Sequence, residues 1–337
     1  MASRVSVVVV AYRSGAALAR CLDSLERQRD VLEVIVVDNG AADDEIADAA
    51  RRKLVRVVSP GRNLGFAGGC NAGAEPALGE VLAFLNPDTV VAPRAIDVLA
   101  GTLADPSVGV AMARLRLLRD PDALNSDGNV LHLAGFAWAG GYGERVNGAG
   151  DPREVAFASG AALAIRTETF RELRGFTEKL FLYGEDLELA WRARLRGLRV
   201  VVNPRADVFH DYEFDRHADK RYYLERNRLI FVLSAFSGRL LVLVAPILCA
   251  AELATAALAF REGWLRQKLA GWSWLARNAR WLLRHRRETQ AERRVRDREL
   301  AAWLTPTLDP AMLAMPALAG PLNRVVEAYW RVARRAL

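Results

Sequence analysis

Apolar and polar positions alternate in blocks over the first third of the chain. Short apolar runs lie at 5–11, 33–37, 54–58, 81–85 and 108–112, and those at 33–37, 54–58 and 81–85 meet Asp38, Pro60 and Asn86 within two residues. Runs of that length bounded by turn formers predict buried strands. Residues 16–28, 43–52 and 95–103 carry helical spacing instead. The alternation predicts an α/β domain, a parallel sheet wrapped by helices. Residues 120–153 break the rhythm. They are rich in Gly, Asn and Asp, including Asp127-Gly128-Asn129 and Gly140-Gly141-Tyr142-Gly143, and read as loops and short hairpins. Order returns with an apolar run at 161–165, helices at 167–173 and 185–195, and strands at 199–202 and 207–210.

Beyond residue 220 the pattern changes, which divides the chain into an α/β domain at 1–220 and a helical, basic and apolar region at 221–337. Between 240 and 260 the only charged residue is Glu252, and Arg239 and Arg261 flank the run. That length suffices to span a bilayer, but Pro246 and Glu252 interrupt it and 229–236 is also apolar, so a hairpin lying in the interface is preferred over a spanning helix. From 261 to 298 there are twelve Arg or Lys against Glu262, Glu288, Glu292 and Asp297. On a helical wheel Trp264, Leu265, Leu269, Trp272, Leu275, Leu282 and Leu283 share one broad face, with Arg266, Arg277, Arg280 and Arg284 to one side. Basic, Trp-bearing amphipathic helices suit an anionic membrane surface; packing on the protein's own core is the alternative.

Composition sharpens this only in places. The chain has 337 residues, net charge +7 and a pI near 9.6, which suits an anionic partner. No nucleic-acid module accompanies the basic residues, so nucleic acid is not expected. The amino terminus runs straight into the first strand pattern, and no signal peptide is predicted. Cys21, Cys70 and Cys249 are too far apart in sequence to read as a metal or redox pair, which fits a reducing compartment.

The candidate chemistry lies at strand ends. Asn86-Pro87-Asp88 follows the 81–85 run, and open α/β sheets bind ligands at such positions. Asp38 closes another apolar run, placed to accept hydrogen bonds from a base or ribose. The segment from Gly61 to Gly73 is glycine-dense and leads into a helix, which lets backbone amides approach an anion. Neither GxGxxG nor GxxxxGK[ST] occurs, which disfavours dinucleotide-binding and P-loop enzymes. Glu185-Asp186 opens a helix; adjacent acids there point to different faces, which argues against a glycosidase pair.

In order, these pieces resemble family 2 glycosyltransferases, and within them the rhamnosyltransferase branch, over residues 5 to about 230. The resemblance rests on Ala11-Tyr12, Val36-Val37-Asp38-Asn39-Gly40, Asn63-x-Gly65-Phe66 with Asn71-x-Gly73, Leu85-Asn86-Pro87-Asp88, Ser159-Gly160-Ala161-Ala162, Gly175-Phe176-Thr177-Glu178 and Phe181-x-Tyr183-x-Glu185-Asp186-x-Glu188-Leu189-x-x-Arg192. It implies a GT-A fold, an αβα sandwich that binds a nucleotide-sugar. By the same resemblance Ala11, Tyr12, Asp38, Asn63, Gly65, Phe66, Asn71, Asn86 and Asp88 line the donor site. Asp88, with His210, holds magnesium or manganese; Asp186 is the general base of an inverting displacement, and Glu185 orients the site. A lone strand-end His is equally a structural residue. Asn86 replaces the first Asp of the DXD form, Glu188 stands where Asp is frequent, and Thr177 stands where Asp is frequent before Glu178.

The expected function is transfer of a sugar, first of all L-rhamnose from dTDP-rhamnose, onto a lipid-linked or cell-surface glycan at the cytoplasmic face of the membrane. UDP-galactofuranose, UDP-GlcNAc or GDP-mannose as donor, and a non-catalytic nucleotide-sugar-binding scaffold, are the alternatives. Self-association is left open.

Overall fold

The computed structural model describes residues 4–148, 150–212, 219–309 and 319–337. The chain divides into two compact units. The first comprises Met1–Asn129, Ala139–Arg194 and Leu198–Arg216; the second comprises Val130–Trp138, Leu195–Gly197 and His217–Leu337.

The first unit alternates strands and helices in the order the apolar runs predict: β1 (Val5–Ala11), α1 (Ala16–Leu25), β2 (Val31–Asp38), α2 (Asp43–Ala50), β3 (Val55–Val58), α3 (Gly65–Ala74), β4 (Val81–Leu85), β5 (Thr89–Val91), α4 (Ala95–Thr102) and β6 (Val108–Leu117). Next along the chain come β7 (Leu124–Ser126), then β8 (Asn129–His132) and β9 (Ala137–Ala139), which fall mostly in the second unit, and, back in the first unit, β10 (Arg153–Glu154), β11 (Ala162–Arg166), α5 (Thr167–Glu172), α6 (Glu185–Leu195) and β12 (Arg199–His210). The main path across the sheet is β10-β12-β6-β11-β4-β1-β2-β3. Every residue of β1 and β4 is buried, as continuous apolar strands covered on both faces must be.

The sheet is mixed, not purely parallel. β11 runs antiparallel to both β4 and β6. It therefore begins where its neighbours end: Ala162 pairs with Leu85. The two strands expected at 199–202 and 207–210 are one strand, whose register against β6 shifts between Asn203 and Asp207. Pro204 explains the gap, because it has no amide to give the ladder and is accommodated at a bulge. β12 ends with His210 opposite Leu117 of β6 and Thr89 of β5. This topology gathers the carboxyl ends of β1, β2, β4 and β12 with the start of β11.

The second unit is built on α7 (Lys220–Ala235), α8 (Gly238–Arg261), α9 (Leu265–Arg277), α10 (Ala279–Ala291), α11 (Asp297–Ala301) and α12 (Ala319–Ala333), and a short strand β13 (Leu304–Thr305) pairs with β8. Two expectations change here. Residues 229–236 are not one arm of an interfacial hairpin: Leu229, Ile230, Phe231, Val232, Ala235 and Phe236 are buried core. Nor is 264–283 one continuous wheel, because the helix breaks at Asn278. Trp264 and Lys268 turn inward while Leu269, Trp272 and Leu283 are exposed. Lys268 is inside because its ammonium reaches Glu225 and Glu252, the latter at 3.1 Å, and donates to Thr255 Oγ1 at 2.6 Å. Arg228 joins both acids. Removing one member of such a buried network costs about 3–5 kcal/mol, because a charge is left uncompensated.

Candidate active site

Tight local bonding shapes the loops at the carboxyl ends of β1 and β2. Asp38 Oδ1 accepts from the amides of Gly40 at 3.2 Å and Ala41 at 3.3 Å, an Asx turn that closes β2. The ring of Tyr12 would stand 3.3 Å from a Cβ at Gly40, and the Arg13 guanidinium lies 5.3 Å from its centroid. The Ala11 carbonyl accepts from Asn39 N at 2.9 Å. Asn39 is buried and bridges two loops. Its Oδ1 accepts from Leu64 N at 2.7 Å, and its Nδ2 donates to Asn63 Oδ1 at 3.0 Å and Gly65 O at 3.1 Å. Asn63 Oδ1 also accepts from Gly65 N at 2.8 Å. The Asn63 oxygen is thus spent on holding the glycine turn.

Asn71 is likewise a brace. Its Oδ1 accepts from Phe176 N at 2.8 Å and its Nδ2 donates to Phe176 O at 2.9 Å. Phe66 is half-buried, its ring edge-on to Phe176 at 6.1 Å. Beneath it Phe84 meets Phe170 and Phe176, both at 5.1 Å. Such pairs contribute about 0.5–1.5 kcal/mol each beyond area burial.

The segment Ser159-Gly160-Ala161 joins the two acidic clusters. Asn86 N donates to Ala161 O at 3.1 Å, and Gly160 N donates to Asp186 Oδ2 at 2.8 Å. A Cβ on Gly160 would come within 3.1 Å of the Phe66 ring and 3.5 Å of Asp186 Cβ. Asp186 Oδ1 accepts from Leu187 N at 2.7 Å, so both carboxylate oxygens are oriented by backbone amides at the start of α6. Phe181 and Tyr183 precede that helix with φ of 67° and 66°. Two bulky aromatics in the left-handed region are strained, and such strain collects at functional sites. Gly65 accepts the fold of this loop: with φ of 70°, any Cβ there would lie 2.3 Å from Phe181 O.

Burial raises the Asp186 carboxyl above the usual aspartate range, while the amides of Gly160 and Leu187 pull it back down. Glu185 faces inward, and burial together with the Asp186 charge pushes it up to about 8. Glu185 therefore holds its proton to a higher pH than an ordinary glutamate. Its native state binds a proton that the unfolded chain releases near 4.5, so the stability contributed by Glu185 is full below that pH, is lost as pH rises toward about 8, and then levels. Glu185→Gln should flatten this slope and keep activity at pH 7 within about threefold, since an amide replaces a neutral carboxyl of the same shape. Thermal denaturation against pH, with parallel rate assays, checks it.

On the other side, His210 Nε2 lies 3.3 Å from Asp88 Oδ1, both side chains nearly buried. The Asp88 carbonyl accepts from Asp211 N at 2.9 Å, which fixes the pairing. His210 Nδ1 donates to Asn125 Oδ1 at 2.9 Å. An imidazole that gives its Nδ1 proton to an amide oxygen presents a lone pair at Nε2. Here the imidazole nitrogen and the carboxylate oxygen converge, a pair of ligand atoms that suits a divalent cation. Among the described residues no group of three or more His, Cys, Asp or Glu could hold a metal. Asp88 and His210 therefore suit a cation that takes its remaining ligands from phosphate and water. Asn125 was invisible in the sequence, being one polar residue in a loop-rich stretch. Asn125→Leu should weaken Mn²⁺ binding about 10–100-fold, the usual cost of losing a partner that orients a ligand; electron paramagnetic resonance of free Mn²⁺ reads it directly.

A cavity of about 600 Å³ lined by Gly79, Glu80, Arg166 and Thr167 lies at the amino end of β4, the opposite edge of the sheet. It contains none of the acids described above.

A mixed sheet in a GT-A αβα arrangement, with acids at its strand ends and a helical carboxy-terminal region, defines a glycosyltransferase. Residues 6–174 match the description "Glycosyl transferase family 2", and the chain belongs to that family. It is 30% identical over 265 residues to an N-acetylglucosaminyl-diphospho-decaprenol L-rhamnosyltransferase of Mycobacterium tuberculosis, covering 69% of this chain and 85% of that protein. Among solved structures, GalNAc-T7 with UDP, GalNAc and Mn²⁺ superposes with a TM-score of 0.58 at 18% identity, covering 69% of this chain and 48% of the other. TarS 1–349 of S. aureus gives 0.55 at 16% identity, covering 98% and 91%. At those identities the structures establish the fold alone.

Proposed function

We propose that the protein is an inverting, metal-dependent transferase that moves L-rhamnose from dTDP-L-rhamnose onto a lipid-linked or cell-surface glycan at the cytoplasmic face of a membrane. The observation that carries the chemistry is Asp186, held by two amides and joined through Gly160 and Ala161 to the Asn86-Pro87-Asp88 turn. The choice of sugar rests on the likeness to the mycobacterial enzyme.

In the displacement Asp186 takes the proton of the acceptor hydroxyl as its oxygen bonds to the anomeric carbon. The bond from that carbon to the diphosphate oxygen breaks, and the electron pair leaves with the nucleoside diphosphate. A carboxyl raised by burial is a stronger base than free aspartate. Asp88 and His210 would hold the cation, which supplies charge neutralisation on the departing diphosphate. Asp38 and Tyr12, at the carboxyl ends of β2 and β1, would contact the base or ribose. Asn63 and Asn71 support this site through the loops they brace.

The test is release of free nucleotide by purified protein, with Mn²⁺ or Mg²⁺, across dTDP-rhamnose, UDP-galactofuranose, UDP-GlcNAc and GDP-mannose, with and without a polyprenyl-diphosphate-linked acceptor. Metal- and acceptor-dependent release of dTDP supports the reading. Turnover of another donor overturns the sugar and keeps the chemistry; no turnover by folded protein favours a binding scaffold.

A further inference from the structure

An 18-residue stretch of α8 has mean hydropathy 2.2, and by length and composition the helix could cross a membrane. Its two long sides differ. Leu240, Val244 and Ala259 are fully buried, and Glu252 and Thr255 on the same side bind Lys268. Glu252 also accepts from Trp272 Nε1 at 2.7 Å and pairs with Arg228. The only acid of the apolar run is thus absorbed by neighbouring helices.

The opposite side is an unbroken apolar stripe, Val242, Pro246, Cys249, Leu253, Ala257 and Phe260, all exposed. Val242, Leu253 and Phe260 are 72%, 74% and 76% exposed. At 1.5 Å per residue the stripe is about 27 Å long. Exposed Arg239 and Arg261 stand at its two ends. Beside it the Tyr329 hydroxyl of α12 donates to Leu243 O at 2.8 Å, and α12 exposes Leu322, Val325, Tyr329 and Val332 at helical spacing.

We propose that this stripe seats the protein on an anionic phospholipid leaflet with the axis of α8 lying in the plane of the interface. The stripe carries no carboxylate and is bracketed by arginines, which complements anionic headgroups. A spanning orientation is opposed by the ion network: Glu252 lies near the middle of α8, so Glu225, Arg228, Lys268 and Glu252 would be carried to the bilayer centre, where charge is most expensive. Lying in the plane keeps the network on the protein side. The inference deepens the membrane contact in the function proposed above. Donor turnover with a detergent-dispersed acceptor tests the sugar separately, so either can fail alone.

Cys249 makes the orientation measurable, because it is exposed while Cys21 and Cys70 are fully buried. The full chain, labelled at Cys249 with an environment-sensitive fluorophore, is mixed with vesicles of phosphatidylcholine alone or with phosphatidylglycerol, carrying spin labels at shallow or deep acyl positions. We expect binding that needs phosphatidylglycerol, and stronger quenching by the shallow label, at a depth of about 5–10 Å. The triple variant Val242→Gln, Leu253→Gln, Phe260→Gln should lose at least about tenfold in vesicle partitioning with its thermal midpoint unchanged. Stronger quenching by the deep label would place Cys249 at the centre of a spanning helix and overturn the proposal. So would absence of vesicle binding by the unmutated chain together with self-association that the triple variant abolishes, which would assign the stripe to a second copy.

Discussion

Asp186→Asn should lower kcat about 10²–10⁴-fold, the range over which a positioned base accelerates proton transfer, and leave the donor Kd within about twofold. The reason lies in what surrounds the carboxylate. Its two oxygens accept from Gly160 N and Leu187 N, so the group is already aimed and needs no reorganisation when an acceptor arrives. An asparagine keeps the shape and one acceptor, and turns its NH₂ toward the other amide, at a cost of about 1 kcal/mol. The fold survives and the base does not. The pH profile gives a second readout. Burial raises Asp186, so the rate should fall as pH drops through a value above that of ordinary aspartate, and the variant's residual rate should lack that acid limb. Steady-state rates across pH, with donor affinity from calorimetry, check both. Retention of more than a tenth of the activity would move the base elsewhere.

How much of this was legible beforehand depends on whether a residue's surroundings are local. The strands were readable because continuous apolar runs with turn formers at both ends leave few alternatives, and β1 and β4 are buried throughout. The direction of β11 was not: Ala161 to Ile165 carries the same pattern whichever way it runs, and only its pairing with β4 and β6 sets it. Asp88, Asp186 and His210 stood out by motif and resemblance. The work done by Asn39, Asn125 and Gly160 did not, because each acts through partners distant in sequence, as Asn125 does on His210, 85 residues away. Asn63 and Asn71 show the converse. Their motif was visible, yet their amides are engaged by neighbouring backbone, which no spacing rule reveals. In α9 the helical wheel grouped Leu269 and Trp272 with Trp264, but Trp264 is buried and the other two are exposed, and Lys268, held by a buried ion network, turns inward.

Asp88→Asn should separate the metal's role from that of the fold, because its effects on the two have opposite signs. In the unmutated protein His210 Nε2 lies 3.3 Å from Asp88 Oδ1, with Nδ1 committed to Asn125. An asparagine amide at 88 can donate to Nε2 of a neutral imidazole, so without metal the variant should melt no lower than the original, and up to about 1 kcal/mol more stable if one new hydrogen bond forms. With Mn²⁺ and dTDP the order should reverse. A ligand at about 100 times its Kd stabilises the native state by about 2.7 kcal/mol, and a neutral amide in place of the carboxylate should remove most of that gain. Several kcal/mol of transition-state charge stabilisation also depends on the cation, so kcat/KM should drop about 10²–10⁴-fold at the tenfold-per-1.36 kcal/mol conversion. Thermal scans with and without Mn²⁺ and dTDP, beside the rate, make the comparison. A variant that still gains the full metal-dependent shift would remove Asp88 from the cation site whatever its activity, because the shift reads binding alone.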